Sequence, residues 1–328
     1  MSEASRGSRR RPSRRGQALR GPQTFSGTTR HLTNRALIRF LLIAFVGAFA
    51  GQLVVIRLGI QGPARFALMI VMWMPGVAAL FASAESRRLA WNSLTTPGWR
   101  LLAPAILIGW SVSAIQAGLL IVGFSGRWNN ENFPLGDGQI RAEGVNLLLG
   151  NGWQGYGAFT LNWLLTLLVG SLVSIIPALG EELGWRAVLQ PELERRMGKV
   201  TATIAVGLIW GYWHLPINLS GFNDSVHPVL TAALLFPLGS IFLSFPFAWL
   251  FRRSRSVWPP ALCHGAGDAI LGGLLVTSNS WVAENISLLL ASVLIALPFM
   301  IVVIRQSESR HRNGAVSVES RAGEHRPE

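Results

Sequence analysis

The sequence predicts an all-α integral membrane protein, a bundle of about eight transmembrane helices, and three observations carry that reading. Half of the 328 residues are hydrophobic, 14% are charged and the mean hydropathy is +0.38, more apolar surface than a soluble core of this length buries. Eight apolar runs are each long enough to cross roughly 30 Å of hydrocarbon. Arginine clusters recur in alternate connectors, the pattern that orients helices in a bilayer.

The runs fall at 36–55, 66–84, 101–124, 159–180, 200–219, 228–250, 258–276 and 286–304. Little 3.6-residue periodicity shows inside them, as expected of helices that are apolar all round. Thirteen Trp against two Tyr suit anchoring at the headgroup level. The chain thus divides into a disordered basic tail at 1–35, an eight-span membrane domain at 36–305 and a polar tail at 306–328. The first run is read as a retained anchor rather than a signal peptide, because it starts too far in and lacks a small-residue cleavage site.

Net charge of +13 could suggest nucleic acid, but its distribution excludes that partner. Nine Arg lie within the first 35 residues, and others sit between apolar runs as orientation charge. One face of the bilayer receives the N-terminal tail, Arg87, Arg88, Arg100, Arg186, Arg195, Arg196, Lys199, Arg252, Arg253, Arg255 and the C-terminal tail. The other receives Arg57, Arg65 and the near-balanced connector 125–158, then two connectors without Lys or Arg. Both termini are therefore expected in the cytoplasm of a multi-pass inner-membrane protein, which requires an even number of spans. The Gly- and Asn-rich connector 125–158 reads as an external loop, either solvated, capping the bundle or touching a partner. No internal repeat is visible, which speaks against a transporter built from duplicated halves. The single cysteine, Cys263, forms no intrachain disulfide.

Ionisable residues inside apolar runs are costly, roughly 2.5–3.5 kcal/mol each on insertion scales, and three runs carry them. The fourth continues past its charges to Gln190 before Pro191 stops it, which puts Glu181 and Glu182 inside the bilayer. Glu182 and Arg186, four apart, share a helical face, whereas Glu181 is turned about 100° away and is freer to face a cavity. A buried carboxylate can act as a general base; the alternative is an interfacial charge cluster closing a span. The fifth run holds Trp210 and His214, one turn apart, and a lone His there is otherwise a satisfied packing residue. The seventh holds His264 and Asp268, again four apart, with Gly265 and Gly267 allowing close helix approach. Cys263 points about 100° from His264 and reads as a small hydrophobe rather than a nucleophile. Converging in one polar cavity removes most of the cost of these groups, so an active or transport site is favoured over three coincidences.

Taken in order, Glu181-Glu182-x-x-x-Arg186, Trp210-x-x-x-His214 and His264-x-x-x-Asp268 resemble the signature of the CPBP family. This family comprises the type II CAAX prenyl endopeptidases and their bacteriocin-processing, immunity and abortive-infection relatives. Two positions depart from its commonest form: Trp210 stands where Phe is usual, and Asp268 where prenyl-substrate enzymes have Asn. The resemblance covers about 159–277 and implies an intramembrane glutamic endopeptidase with no metal or other cofactor, acting on a membrane-associated peptide or protein. Glu181 would activate water with help from His214, His264 would stabilise the oxyanion, Asp268 would orient His264, and Glu182 with Arg186 would position the site. Two other readings remain: a non-proteolytic immunity or scaffold relative, and a metal-dependent hydrolase using Glu181, Glu182, His214 and His264. At 1.5 Å per residue, His264 lies about 14 Å in from Arg255 and His214 about 22 Å in from Lys199, so convergence requires tilt or a late-starting fifth span.

Overall fold

The computed structural model of the protein describes residues 31–323 except 61, 97, 144 and 271–274. Most of the expected N-terminal tail (1–30) and the last five residues lie outside the described set. The helices are α1 (Asn34–Leu58), α2 (Leu68–Val71), α3 (Met74–Phe81), α4 (Ala84–Thr95), α5 (Leu102–Gly123), α6 (Tyr156–Gly184), α7 (Gln190–Met197), α8 (Lys199–Trp213) and α9 (Leu215–Leu219). They continue with α10 (Pro228–Leu230), α11 (Phe236–Ser254), α12 (Trp258–Ile270) and α13 (Trp281–Gly323). Strands are confined to two-residue pieces: β1 (Arg127–Trp128), β2 (Leu135–Gly136), β3 (Gln139–Ile140), β4 (Gln154–Gly155) and β5 (Val276–Thr277). The all-α class holds, and the protein is a multi-pass membrane protein by helix length and hydropathy.

The expected eight spans are not found. Among the described residues five helices are long and apolar enough to cross a bilayer: Asn34–Leu58, Trp99–Gly123, Tyr156–Met197, Pro228–Ser254 and Trp281–Gln306. A sixth is added only if α2–α3 and α4, inclined at 119°, count as one element. The helical part of the second apolar run, Leu68–Phe81, ends before Ser83, which is fully extended and whose side chain and that of Ser86 cap each other's backbone in a reciprocal box that starts a new helix. The fifth and seventh runs yield α8 and α12, of 15 and 13 residues. At 1.5 Å per residue these reach only about 22 and 20 Å. The apolar character of α12 comes from burial within the bundle: residues 258–266 are buried throughout except Trp258.

The connectors nevertheless sort to two ends. Asp224 accepts from Trp281 Nε1 (2.6 Å), and β1 pairs antiparallel with β5, joining 124–155, 220–227 and 275–281 at one end. At the other, Arg252 donates to Glu194, Lys199 to Gln306, and Arg196 to the Leu32 carbonyl and Asn34. The segments around Leu32, Arg196, Lys199 and Arg252 thus lie together at this end.

The 125–158 connector is more than a solvated loop. Phe133, Ile140, Ala142 and Leu147 form a small core with Phe159 of α6, closed by the antiparallel order β2–β3–β4. Buried Asn162 grips the turn at 149–150, accepting from Leu149 N–H (2.8 Å) and donating to the Gly150 carbonyl (3.0 Å), while Thr166 accepts from Leu148 N–H.

Small residues set the helix spacing where it matters. A Cβ on Gly184 would lie 2.4 Å from Pro75, and one on Gly180 2.6 Å from Trp73, so α6 and α3 touch backbone to backbone beside the two glutamates. Gly265 does the same for α12, with the Ser174 backbone 2.8 Å from its would-be Cβ. Gly267, expected to serve likewise, has open space there. A Gly265→Leu substitution is expected to destabilise the purified protein by about 1–3 kcal/mol through overpacking, read from its thermal midpoint in detergent.

Asp224 staples the 220–227 loop to α10–α13. Partial burial opposes its charge, but donors from the His227 and Val226 backbone, Thr231 Oγ1 and Trp281 Nε1 outweigh that and hold its carboxyl below the usual range. A carboxyl depressed on folding stabilises above its unfolded value, near 3.9, and the contribution is lost as pH falls through the folded value. Asp224→Asn is therefore expected to lower the thermal midpoint at neutral pH, and the gap to wild type to narrow below about pH 4; a gap independent of pH would contradict this.

Candidate active site

The helix carrying the glutamates runs unbroken from Tyr156 to Met197 and passes through a π-helical turn at Trp185–Leu189. π turns recur at functional sites because they re-aim side chains within an otherwise regular helix. Residues 177–190 are all buried, so Glu181, Glu182 and Arg186 are shielded from lipid and solvent alike. This agrees with the reading that the helix continues beyond its charges.

Glu182 bridges two cations or potential cations. Its Oε2 lies 3.2 Å from Arg186 Nε and its Oε1 3.1 Å from His264 Nδ1. The Arg186 contact is close enough for an ion pair yet lacks hydrogen-bond alignment, so its attraction is chiefly Coulombic. Arg186 Nη2 donates to Ser244 of α11 (3.3 Å), and its guanidinium lies 5.1 and 5.0 Å from the Trp210 and Phe247 ring centres. Such cation–π contacts favour a desolvated guanidinium.

Glu181 faces elsewhere, as its 100° offset predicts. Trp210 Nε1–H donates to its Oε2 at 2.5 Å and Trp185 Nε1–H more weakly at 3.4 Å. Its Oε1 is buried with no hydrogen-bond partner among the described residues.

His264 is the junction of three helices. Besides Glu182 it meets the Trp210 ring edge-on at 5.2 Å and stacks on Phe247 at 5.6 Å. Asp268 Oδ2 sits 3.7 Å from His264 Nε2, within ion-pair range but too far for a hydrogen bond, and the Asp268 side chain is 36% exposed. Asp268 was expected to orient His264; the hydrogen bond that fixes the ring runs to Glu182 instead, because Nδ1 faces α6.

His214 is the residue least drawn in. Its Nδ1 lies 3.0 Å from the Trp210 carbonyl and its ring contacts Trp213 and Phe236, both at 4.7 Å. Among the described residues no hydrogen bond joins it to Glu181, Glu182 or His264. The depth mismatch seen in sequence explains this: Trp210, about 17 Å in from Lys199, reaches the level of His264, and His214 lies one turn further on. The contributions of Trp185, Ser244 and Phe247 were not foreseen. Cys263 is buried, with its carbonyl against Gly109 of α5.

The described residues contain no group of three or more His, Cys, Asp or Glu placed to hold a metal ion. Fold and site together define a multi-pass membrane protein with a sealed acid–imidazole–guanidinium cluster where α6, α8, α11 and α12 meet. Residues 160–270 match the model of the Rce1-like type II CAAX prenyl endopeptidase family, and the chain carries a domain of that family there. No curated protein matches the chain. The matched segment contains all six candidate residues.

Removing one partner of a buried ion pair typically costs about 3–5 kcal/mol. Glu182→Gln, which leaves Arg186 uncompensated, is therefore expected to destabilise the protein by that order in thermal or denaturant unfolding. Glu181→Gln breaks no ion pair and should cost clearly less; equal losses would show that Glu182 is not the counter-ion.

Proposed function

We propose that the protein is an intramembrane endopeptidase that hydrolyses a peptide bond in a membrane-associated protein or peptide. One observation carries this reading: Glu181 presents a buried, unpartnered Oε1 within a cluster whose other acid is already committed to Arg186 and His264. Membership of a domain family of endopeptidases supports it.

In this mechanism Oε1 of Glu181 takes a proton from water as its oxygen attacks the scissile carbonyl carbon. The C=O π pair moves onto oxygen, and His264 Nε2–H donates to that oxyanion. Donating at Nε2 while Nδ1–H is bonded to Glu182 requires the imidazolium. Collapse of the tetrahedral intermediate breaks the C–N bond, and the proton on Glu181 passes to the leaving amine. Glu182 and Arg186 hold His264 in place. Asp268, at the exposed edge, neighbours Nε2 without anchoring it, and His214 acts at one remove, through the Trp210 backbone. The peptidase unit extends over about 159–277, flanked by further membrane helices and polar tails; with α2–α3 and α4 counted as a sixth span, both termini are cytoplasmic.

Turnover of one cleavable membrane peptide, identified by trapping on Glu181→Gln, tests the assignment. Glu181→Gln is expected to abolish cleavage, and His264→Ala to lower it by about 10²–10³, the usual cost of losing an oxyanion donor. Asp268→Asn should retain substantial activity. Wild-type biological activity in Glu181→Gln would favour a scaffold or immunity role instead. Orientation is checked by cysteine labelling from outside the cell: residue 130 should be tagged and residue 320 spared.

A further inference from the structure

In the family signature position 210 is usually Phe, an aromatic ring with no hydrogen-bond donor. Here the residue is Trp, and its N–H reaches the acid. We propose that Trp210 is a positioning residue that locks the Glu181 carboxylate in one orientation and so makes Oε1, not Oε2, the oxygen that takes the proton. This rests on the reading of Glu181 as the general base.

A free carboxylate offers two equivalent oxygens. At Glu181 they are made unequal: Oε2 accepts from Trp210 Nε1 at 2.5 Å and from Trp185 Nε1 at 3.4 Å, whereas Oε1 has no partner among the described residues. Indole is a donor only, so Trp210 cannot reverse the bond, accept a proton or relay one. Oε2 is thereby kept as an acceptor throughout a catalytic cycle. A Phe at 210 would fill the same space but leave Oε2 buried without its short donor.

Trp210 is itself held on several sides. The Arg186 guanidinium lies 5.1 Å from its ring centre, the His264 ring 5.2 Å and Phe247 5.8 Å away. Its carbonyl is engaged by His214. One indole therefore touches the acid through its N–H, the arginine and the junction histidine through its ring, and the second histidine through its backbone. This gives His214 and Arg186 a physical route to the Glu181 carboxylate that needs no direct contact.

The test uses the full-length protein in detergent with ¹⁵N-labelled tryptophan indoles, thirteen in all. A strong bond to a carboxylate should place one indole proton far downfield. It is expected to move upfield in Glu181→Met, which removes the acceptor at similar size, and to disappear in Trp210→Phe. A spectrum unchanged by Glu181→Met overturns the tether, whatever the activity. On the trapped peptide, Trp210→Phe is expected to lower kcat about 10- to 100-fold, as for a lost hydrogen bond to a charged group, with KM within about two-fold. Full kcat in Trp210→Phe overturns the positioning role. A tether seen by resonance, together with undiminished cleavage by Glu181→Gln, would instead sink the general-base reading on which the proposal stands.

Discussion

Two full charges shut away from water, Glu182 and Arg186, impose the terms on which the bundle is built. An ion pair at 0% exposure has lost its hydration, and mutual attraction alone seldom repays that loss. The remaining satisfaction comes from neighbours: His264 for the second Glu182 oxygen, Ser244 for Arg186 Nη2, and the faces of Trp210 and Phe247 for the guanidinium. These partners lie on α8, α11 and α12, so each of those helices is tied to α6 through the pair. Gly265 makes the approach of α12 to α6 possible, and Gly180 and Gly184 do the same for α3, by removing side chains at the crossing points.

Once the pair is sealed, the helices around it no longer need to be membrane-length. α8 and α12 bring Trp210 and His264 to the cluster and stop short of a full crossing. Local composition cannot distinguish a residue that is apolar because it faces lipid from one that is apolar because it faces another helix. The run at 258–276 therefore looks like a span in sequence, although its helix α12 is largely interior, whereas α8 in the run at 200–219 keeps an exposed stripe at Ile204, Leu208 and Tyr212.

At the site, what could be read was whatever one helix determines by itself. The four-residue spacings of Glu182 with Arg186 and of His264 with Asp268 each place two side chains on one face, and both pairs meet in space. The different facing of Glu181 likewise follows from its 100° offset. Contacts between helices were beyond such reasoning: nothing in the spacing says that Glu182 rather than Asp268 binds His264, or that Trp210 rather than His214 reaches Glu181. The departure from Phe at 210 was visible in sequence, but its meaning lay in a donor atom whose partner sits on another helix.

The π turn at Trp185–Leu189, where Gln190 N–H donates to the Trp185 carbonyl five residues back, is equivalent to one residue inserted into an α-helix. It divides the long helix into two rotational settings. Upstream, Glu181 and Glu182 are phased to the cluster; downstream, Glu192 is phased to bind the Leu32 N–H, Arg195 and Arg196 at the Arg-rich end. Deleting a single residue within 185–189 would let the turn relax to an ordinary α-helix and leave the two halves in nearly their present phase. Regularising the turn with all its residues kept would instead rotate one half against the other by about 100°, so that one of these two attachments could be kept and not both. The chain tolerates an irregular turn because it must satisfy two angular demands on one rod.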